Sequence, residues 1–350
     1  MLVFENQRRD FFRTSFGVFG FLLFPDGLLS YWNKYDNFED KKEVISPSRL
    51  QKGDVVAVMG AAGALRETKY IESFKEQLLS FGFKVIMGET VGKINGYFSG
   101  TDEERAQEFN RFIEDQSVKA IFFIKGGWGS ARILNLIDYE NIKKNPKIIL
   151  GFSDITSLLI AVFKKTRLVT FHGPVGVSSW EGFTLESFKN MTCRAEKKLN
   201  QNDSEIRRLI TVIVKGQAKG QLIGGNLSVF VALLGTPFFE SCKEKILFLE
   251  ETDEEPYRID RMLTTLRLAG VLDEVAGIVF GQFNKCIAEK PQESFTLIEV
   301  LEQHFKEACY PVVYGCPFGH VKDKWTLPVG AEAIIDTDGA VLTLFAPAVH

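Results

Sequence analysis

The sequence predicts an α/β protein with a Rossmann-like parallel-sheet N-terminal domain and a smaller mixed α+β C-terminal domain. Three observations point there. From Gly53 onward, short apolar runs alternate with stretches whose apolar residues recur at helical spacing, the pattern of strands linked by crossover helices into a parallel sheet. The alternation fades after residue 175, through "WEGFTLESFKNMTCRAEKKLNQNDSE", which has little periodicity. A second set of apolar runs follows, with helices between them and two short strands at the end. The 350 residues are enough for two domains of about 100–200 residues each. The expected organisation is an N-terminal extension at 1–51, the parallel-sheet domain at 52–175, an interdomain linker at 176–206 and the C-terminal domain at 207–350.

The extension carries its own signal. Residues 6–24 read "NQRRDFFRTSFGVFGFLLF", with Arg8 and Arg9 ahead of Phe11 and Phe12, then eleven largely apolar residues from Thr14 to Phe24, ended by Pro25. A helix needs roughly 20 apolar residues to span a bilayer, so this stretch suits the apolar part of an export signal instead. It resembles a twin-arginine signal, which implies a periplasmic location. No small-x-small cleavage site follows, and an uncleaved segment in contact with the membrane surface, or a cytoplasmic protein with an extended start, stays open. Residues 34–51 are polar and charged, as a linker would be.

In the first domain the strands are "DVVAVMG", "KVIMG", "AIFFIK", "IILG" and the start of "VTFHGP". Helices are expected near 67–79, 102–113 and 130–137, and again after "IILG", where Ile155, Leu158, Leu159, Val162 and Phe163 share one face. In the second domain the strands lie in "LITVIVKGQAKGQLIGG", "KILFLEE", "VAGIVFGQF", "PVVYG", "AEAIID" and "VLTLF", with helices near 258–272 and 296–308.

Composition excludes several functions. Hydrophobic residues make up 45% and charged residues 25%, and the net charge is -3, so no basic field attracts nucleic acid. The five cysteines include no CxxC pair that would suggest zinc or redox chemistry, and no HExxH spacing is present. No metal or cofactor is expected.

The chemistry concentrates at strand ends, where ligands gather in parallel sheets. Gly151 permits a bend after "IIL", and Ser153 follows at a strand-to-helix corner, where it is either a helix cap or a nucleophile. A nucleophilic serine needs a base and a group to orient that base. Of four histidines, His350 is terminal, His304 lies in a helix among charged neighbours and His172 ends a strand beside Gly173 and Pro174. His320 lies in a loop fixed by Gly315, Pro317 and Gly319, and is either structural or the base. Glu250, at the end of "ILFL", is either the orienting acid or part of a solvated acidic turn. The loop "KGGWGS" lacks both phosphate-cradle spacings. Its Gly126 and Gly127, beside Trp128, could instead present a backbone N–H that pairs with the Asp154 N–H as an oxyanion site.

Together these segments resemble the LD-carboxypeptidase family of serine peptidases, which includes muropeptide LD-carboxypeptidases and microcin C self-immunity peptidases. The resemblance rests on "IKGGWGSARILNLIDY", "IILGFSDITSLL", "VTFHGP", "LIGGNLSVFVALLGTPF", "ILFLEETDEEPYRIDRMLTTLRLAGVL" and "FGHVKDKWTLPVGAEAIID", in family order. It implies Ser153 as nucleophile, Glu250 as acid and His320 as base, at a groove between the domains of a homodimer. It also implies a murein tetrapeptide substrate that loses its terminal D-alanine through an acyl-enzyme. Lys125 stands where the family usually has arginine, Trp128 where tyrosine is usual, and Phe152 where the family is more tolerant of polar residues. A peptidase of peptidyl-nucleotide antibiotics, with Trp128 stacking on a base, and a catalytically silent muropeptide-binding protein are the alternatives.

Overall fold

The computed structural model describes residues 43–199, 208–339 and 341–350; the twin-arginine-like segment lies outside them. The apolar run Val55–Met59 forms β1, buried along nearly all its length, as a central parallel strand covered on both faces must be. It pairs in parallel with β2 (Lys84–Met87) and β3 (Val118–Phe123), and β4 (Ile148–Gly151) and β5 (Thr170–His172) continue the sheet in the order 2-1-3-4-5. In this doubly wound order the direction of winding reverses between β1 and β3. The loops leaving those strands, with the corner after β4, form the rim where a ligand is expected.

Helices α1 (Lys69–Ser80) and α2 (Asp102–Glu114) connect the early strands. Thr101 and Glu104 form a reciprocal capping box that fixes the start of α2. The helix expected at 130–137 is instead a 3-10 turn, Ser130–Leu136, followed by the short α3 (Tyr139–Lys144). The turn's first residue is committed elsewhere: Ser130 N–H donates to Asp154 Oδ2 at 2.7 Å, and its hydroxyl reaches the Asp154 carbonyl and Ser157 Oγ. Helix α4 (Thr156–Thr166) is buried almost all round, which marks a helix packed on both sides. It lies between the two sheets, and its Thr156 hydroxyl accepts the Asn226 N–H at 3.0 Å.

Residues 176–206 were expected to be a linker, but they contain α5 (Gly182–Thr192), whose Phe188 packs edge-on against Phe122 of β3. Its periodicity was hidden because its buried face is partly hydroxylic. Thr184 Oγ1 donates to the Lys322 carbonyl and accepts the Lys324 N–H, and Ser187 Oγ accepts the Thr326 N–H.

The second sheet has a parallel centre with antiparallel edges. Strands β7 (Gln217–Asn226), β8 (Ile246–Thr252), β9 (Gly277–Asn284) and β10 (Val312–Cys316) run parallel. β6 (Thr211–Val214) closes one edge, and β12 (Glu332–Asp336) with β13 (Leu342–Leu344) the other. Between them run α6 (Leu227–Ala232), α7 (Pro256–Leu268), α8 (Val271–Glu274) and α9 (Leu297–Phe305). The helices expected at 258–272 and 296–308 are therefore present, the first broken at Gly270, which has φ 76°. A further strand, β11 (Leu327–Val329), leaves this half of the chain and pairs antiparallel with β5. Its Pro328 is tolerated because β11 is an edge strand. The first sheet is thus not confined to residues 52–175.

Candidate active site

The corner after β4 is strained. Ser153 has φ 62°, the left-handed region that non-glycine residues seldom occupy. Such a turn pushes a side chain out of the end of the sheet. Gly126, at the end of the neighbouring β3, lies directly against it: a Cβ there would fall 2.8 Å from Ser153 Cβ and 2.9 Å from its Oγ. Only glycine lets the two loops meet this closely. The Gly126 carbonyl accepts the Gly63 N–H at 3.0 Å, which fastens the loop after β1 to the loop after β3. Arg105, fully buried, donates to the Ala61 and Gly129 carbonyls at 2.6 and 2.9 Å and holds the same two loops from below.

The other half of the site comes from the second sheet. Glu250, fully buried near the end of β8, accepts from His320 Nδ1 at 2.7 Å through Oε2. His320 Nε2 lies 3.1 Å from Ser153 Oγ. Since a carboxylate only accepts, Nδ1 carries the ring hydrogen of the neutral imidazole, and Nε2 is left to accept the Ser153 hydroxyl proton. Gly319, with φ 102°, lets the His320 loop lie on Glu250; a Cβ there would be 2.6 Å from Glu250 Oε2. Beyond the loop, the Trp325 N–H bonds back to the Pro317 carbonyl at 2.6 Å and closes the loop on itself.

Burial alone would raise the Glu250 carboxyl, yet its net shift is downward. The hydrogen bond from His320, and the charge its ring takes on when protonated, outweigh the burial. Glu250 is therefore ionised and able to stabilise an imidazolium. Its neighbour Glu251 faces another way, across a register slip between β8 and β9. It accepts from Asn226 Nδ2 at 2.9 Å and from the Ser228 N–H at 2.8 Å, and burial, with the Glu250 charge adding to it, raises its carboxyl.

All three residues expected to carry chemistry are thus brought together, with Gly126 against Ser153 and the Asp154 N–H beside Gly126; Gly127 packs on Gly63 and Trp128 on Tyr97 and Phe98. His304 is elsewhere, bonded to Asp260 at 2.8 Å, and His350 is 3.1 Å from Ser48 Oγ. Two residues near the site escaped the sequence reading. His172 is fully buried, its ring against Phe152, Phe248 and Phe318, and burial pulls it down to about 4, so it is neutral. The signal was available: it pairs with Gly151 at the end of the strand beside the nucleophile corner. Lys324, 5% exposed, holds its ammonium over the Phe152 ring at 4.7 Å. Among the described residues, no group of three or more His, Cys, Asp or Glu could hold a metal ion, and no helix is long and apolar enough to cross a membrane.

Residues 56–173 match the LD-carboxypeptidase N-terminal domain, and residues 219–335 match the LD-carboxypeptidase C-terminal domain. A "Probable murein peptide carboxypeptidase" of Bacillus subtilis is 37% identical over 296 residues, 83% of this chain and 91% of that protein. Among solved structures, MccF in complex with glutamyl sulfamoyl guanosine has a TM-score of 0.79 at 27% identity, covering 87% of this chain and 99% of its own. The muramoyltetrapeptide carboxypeptidase from Oxalobacter formigenes gives a TM-score of 0.70 at 27% identity, covering 83% of this chain and 97% of its own.

Proposed function

The chain belongs to the LD-carboxypeptidase family of serine peptidases, and from that premise we propose that it hydrolyses the L,D-amide of murein tetrapeptides and releases the terminal D-alanine. Its relatives support a carboxypeptidase of murein peptides; the tetrapeptide and the triad roles are the finer reading. What supports that reading best is the unbroken relay from Glu250 Oε2 through the His320 ring to Ser153 Oγ, at 2.7 and 3.1 Å.

His320 takes the Ser153 proton as Oγ attacks the carbonyl of the L-centre. The Gly127 and Asp154 N–H groups receive the oxyanion, each contributing about 3 kcal/mol. His320⁺, steadied by Glu250, then gives its proton to the departing D-alanine nitrogen. The acyl-enzyme on Ser153 is hydrolysed by water activated at the same imidazole. Assembly as a homodimer and export through residues 1–51 belong to the same proposal. Sedimentation of the purified protein and fractionation of cells expressing the full chain test them.

One observation favours a second substrate class. Trp128 and Tyr97 are 54% and 65% exposed beside the glycine loop, with ring centroids 5.9 Å apart, a surface on which a nucleobase could stack. Incubation with disaccharide tetrapeptide and, separately, with an aminoacyl sulfamoyl adenylate, each followed by mass spectrometry, decides between them. Loss of one alanine from the tetrapeptide supports the murein reading. Cleavage of the nucleotide alone replaces it, and no cleavage of either leaves a muropeptide-binding protein.

A further inference from the structure

Lys324 is a charge without a local purpose. Its side chain is buried, yet among the described residues no hydrogen bond or ion pair reaches its Nζ, which lies over the face of the Phe152 ring. A largely buried ammonium with no hydrogen-bonded counterion is costly, and proteins seldom keep one that binds nothing. Glu250, a buried carboxylate whose charge acts on Lys324, is engaged by His320 through Oε2, and its other oxygen makes no hydrogen bond to the ammonium.

The position of Lys324 relative to the reaction suggests its partner. Phe152 immediately precedes Ser153, and its ring carries the Lys324 ammonium at 4.7 Å and the His320 ring at 4.8 Å between centroids. In amide hydrolysis the group that protonates the leaving nitrogen must face it, so the departing amino acid lies on the imidazole side of Ser153. The carboxylate of that amino acid is two bonds from the same nitrogen. Resting on the proposed carboxypeptidase reaction, we infer that Lys324 binds the free terminal carboxylate of the substrate and so restricts the enzyme to C-terminal residues. Phe152, at a position where a polar side chain could compete for the ammonium, supplies an apolar face that holds it without neutralising it.

The surroundings add a second signature. Burial pulls Lys324 down to about 8 against the upward pull of Glu250 and Asp323. The titratable groups around it are Glu250 at the end of β8, His172 at the end of β5, and Asp323 and His320 in its own loop. The charged form is present below that value and lost above it.

The test compares a tetrapeptide ending in D-alanine with the same peptide ending in D-alaninamide, using wild type, Lys324→Met and Lys324→Arg. Wild type is expected to prefer the acid at least tenfold in kcat/KM. Lys324→Met should raise KM for the acid at least tenfold, change kcat little and erase the preference, and Lys324→Arg should keep it. In wild type, KM for the acid should climb above about pH 8, and in Lys324→Arg it should stay flat there. Calorimetry in a Ser153→Ala background reads binding without turnover. Lys324-dependent binding of the acid peptide supports the carboxylate site even if wild type releases no D-alanine, a result that would count against the reaction alone. Equal binding of acid and amide by Ser153→Ala, or an acid preference retained in Lys324→Met and lost in Lys125→Met, overturns the assignment.

Discussion

The Ser153 corner and the His320–Glu250 arm meet at one hydrogen bond but are held in different ways. Ser153 is placed locally: its strained backbone at φ 62° is fixed by the end of β4 and by Gly126 in the loop that follows the adjacent strand β3. His320 and Glu250 are placed remotely, 70 residues apart from each other, with His320 167 residues from Ser153. Local strain can aim a hydroxyl, but whether His320 reaches it depends on how the two sheets dock. The docking runs through α4, whose Thr156 bonds the end of β7 while the Ser153–Ile155 turn leads into its N-terminus. Gly225 permits this approach; a Cβ there would fall 2.5 Å from Thr156 side-chain atoms.

Breaking the two regions separately should give different signatures. The largest effect is expected from Ser153→Ala, with kcat lower by about 10⁶-fold and a nearly unchanged melting curve. Glu250→Gln attacks the remote arm and should lower kcat by about 10⁴-fold, because the amide holds the wrong imidazole tautomer. Steady-state kinetics on the tetrapeptide check both. Gly126→Ala and Gly319→Ala displace each half in turn, and a misplacement of about 1 Å costs on the order of 10²-fold in rate. Similar losses from the two would support a single cooperating unit; a harmless Gly319→Ala would separate the arm from catalysis. Thr156→Val should act mainly on stability, by about 1–3 kcal/mol, since the buried Asn226 N–H loses its acceptor.

Stability should also depend on pH. His172 binds a proton at about 4 when folded, against 6.5 for the unperturbed side chain. As pH falls below 6.5 the unfolded chain takes up the proton first, so stability drops towards pH 4 by up to about 3 kcal/mol. Glu250, with its folded value lowered, acts in the same direction: its stabilisation is present above the ordinary carboxylate value and lost as pH falls through the folded one. Urea denaturation of His172→Asn between pH 4 and 7 should show a shallower acid limb than wild type.

The alternating strands and helices of residues 53–175 were legible because each buried its apolar residues at a regular period, as in β1 and α4. Helix α5 was not legible, since hydroxyls of Thr184 and Ser187 on its buried face bond the Lys322–Thr326 segment instead of packing as hydrocarbons. Strand β11 was missed because Pro328 argues against a strand anywhere but at an edge. Ser153, Glu250 and His320 could be nominated from loop chemistry and strand ends, but each kept an ordinary structural rival until family resemblance joined them. Lys324 carries no sequence signal at all. A lysine among Lys322, Asp323 and Trp325 reads as surface, and only the closed loop over Phe152 buries it.

The most direct test that two separately held regions form one catalytic unit needs no substrate. A fluorophosphonate that labels activated serines is incubated with wild type, His320→Ala and Glu250→Gln, and the adduct is located by peptide mapping. A single adduct on Ser153 in wild type, absent in His320→Ala and slowed in Glu250→Gln, is the expected result. Labelling of Ser153 at equal rates in all three proteins, or no adduct on it in wild type, would contradict the account.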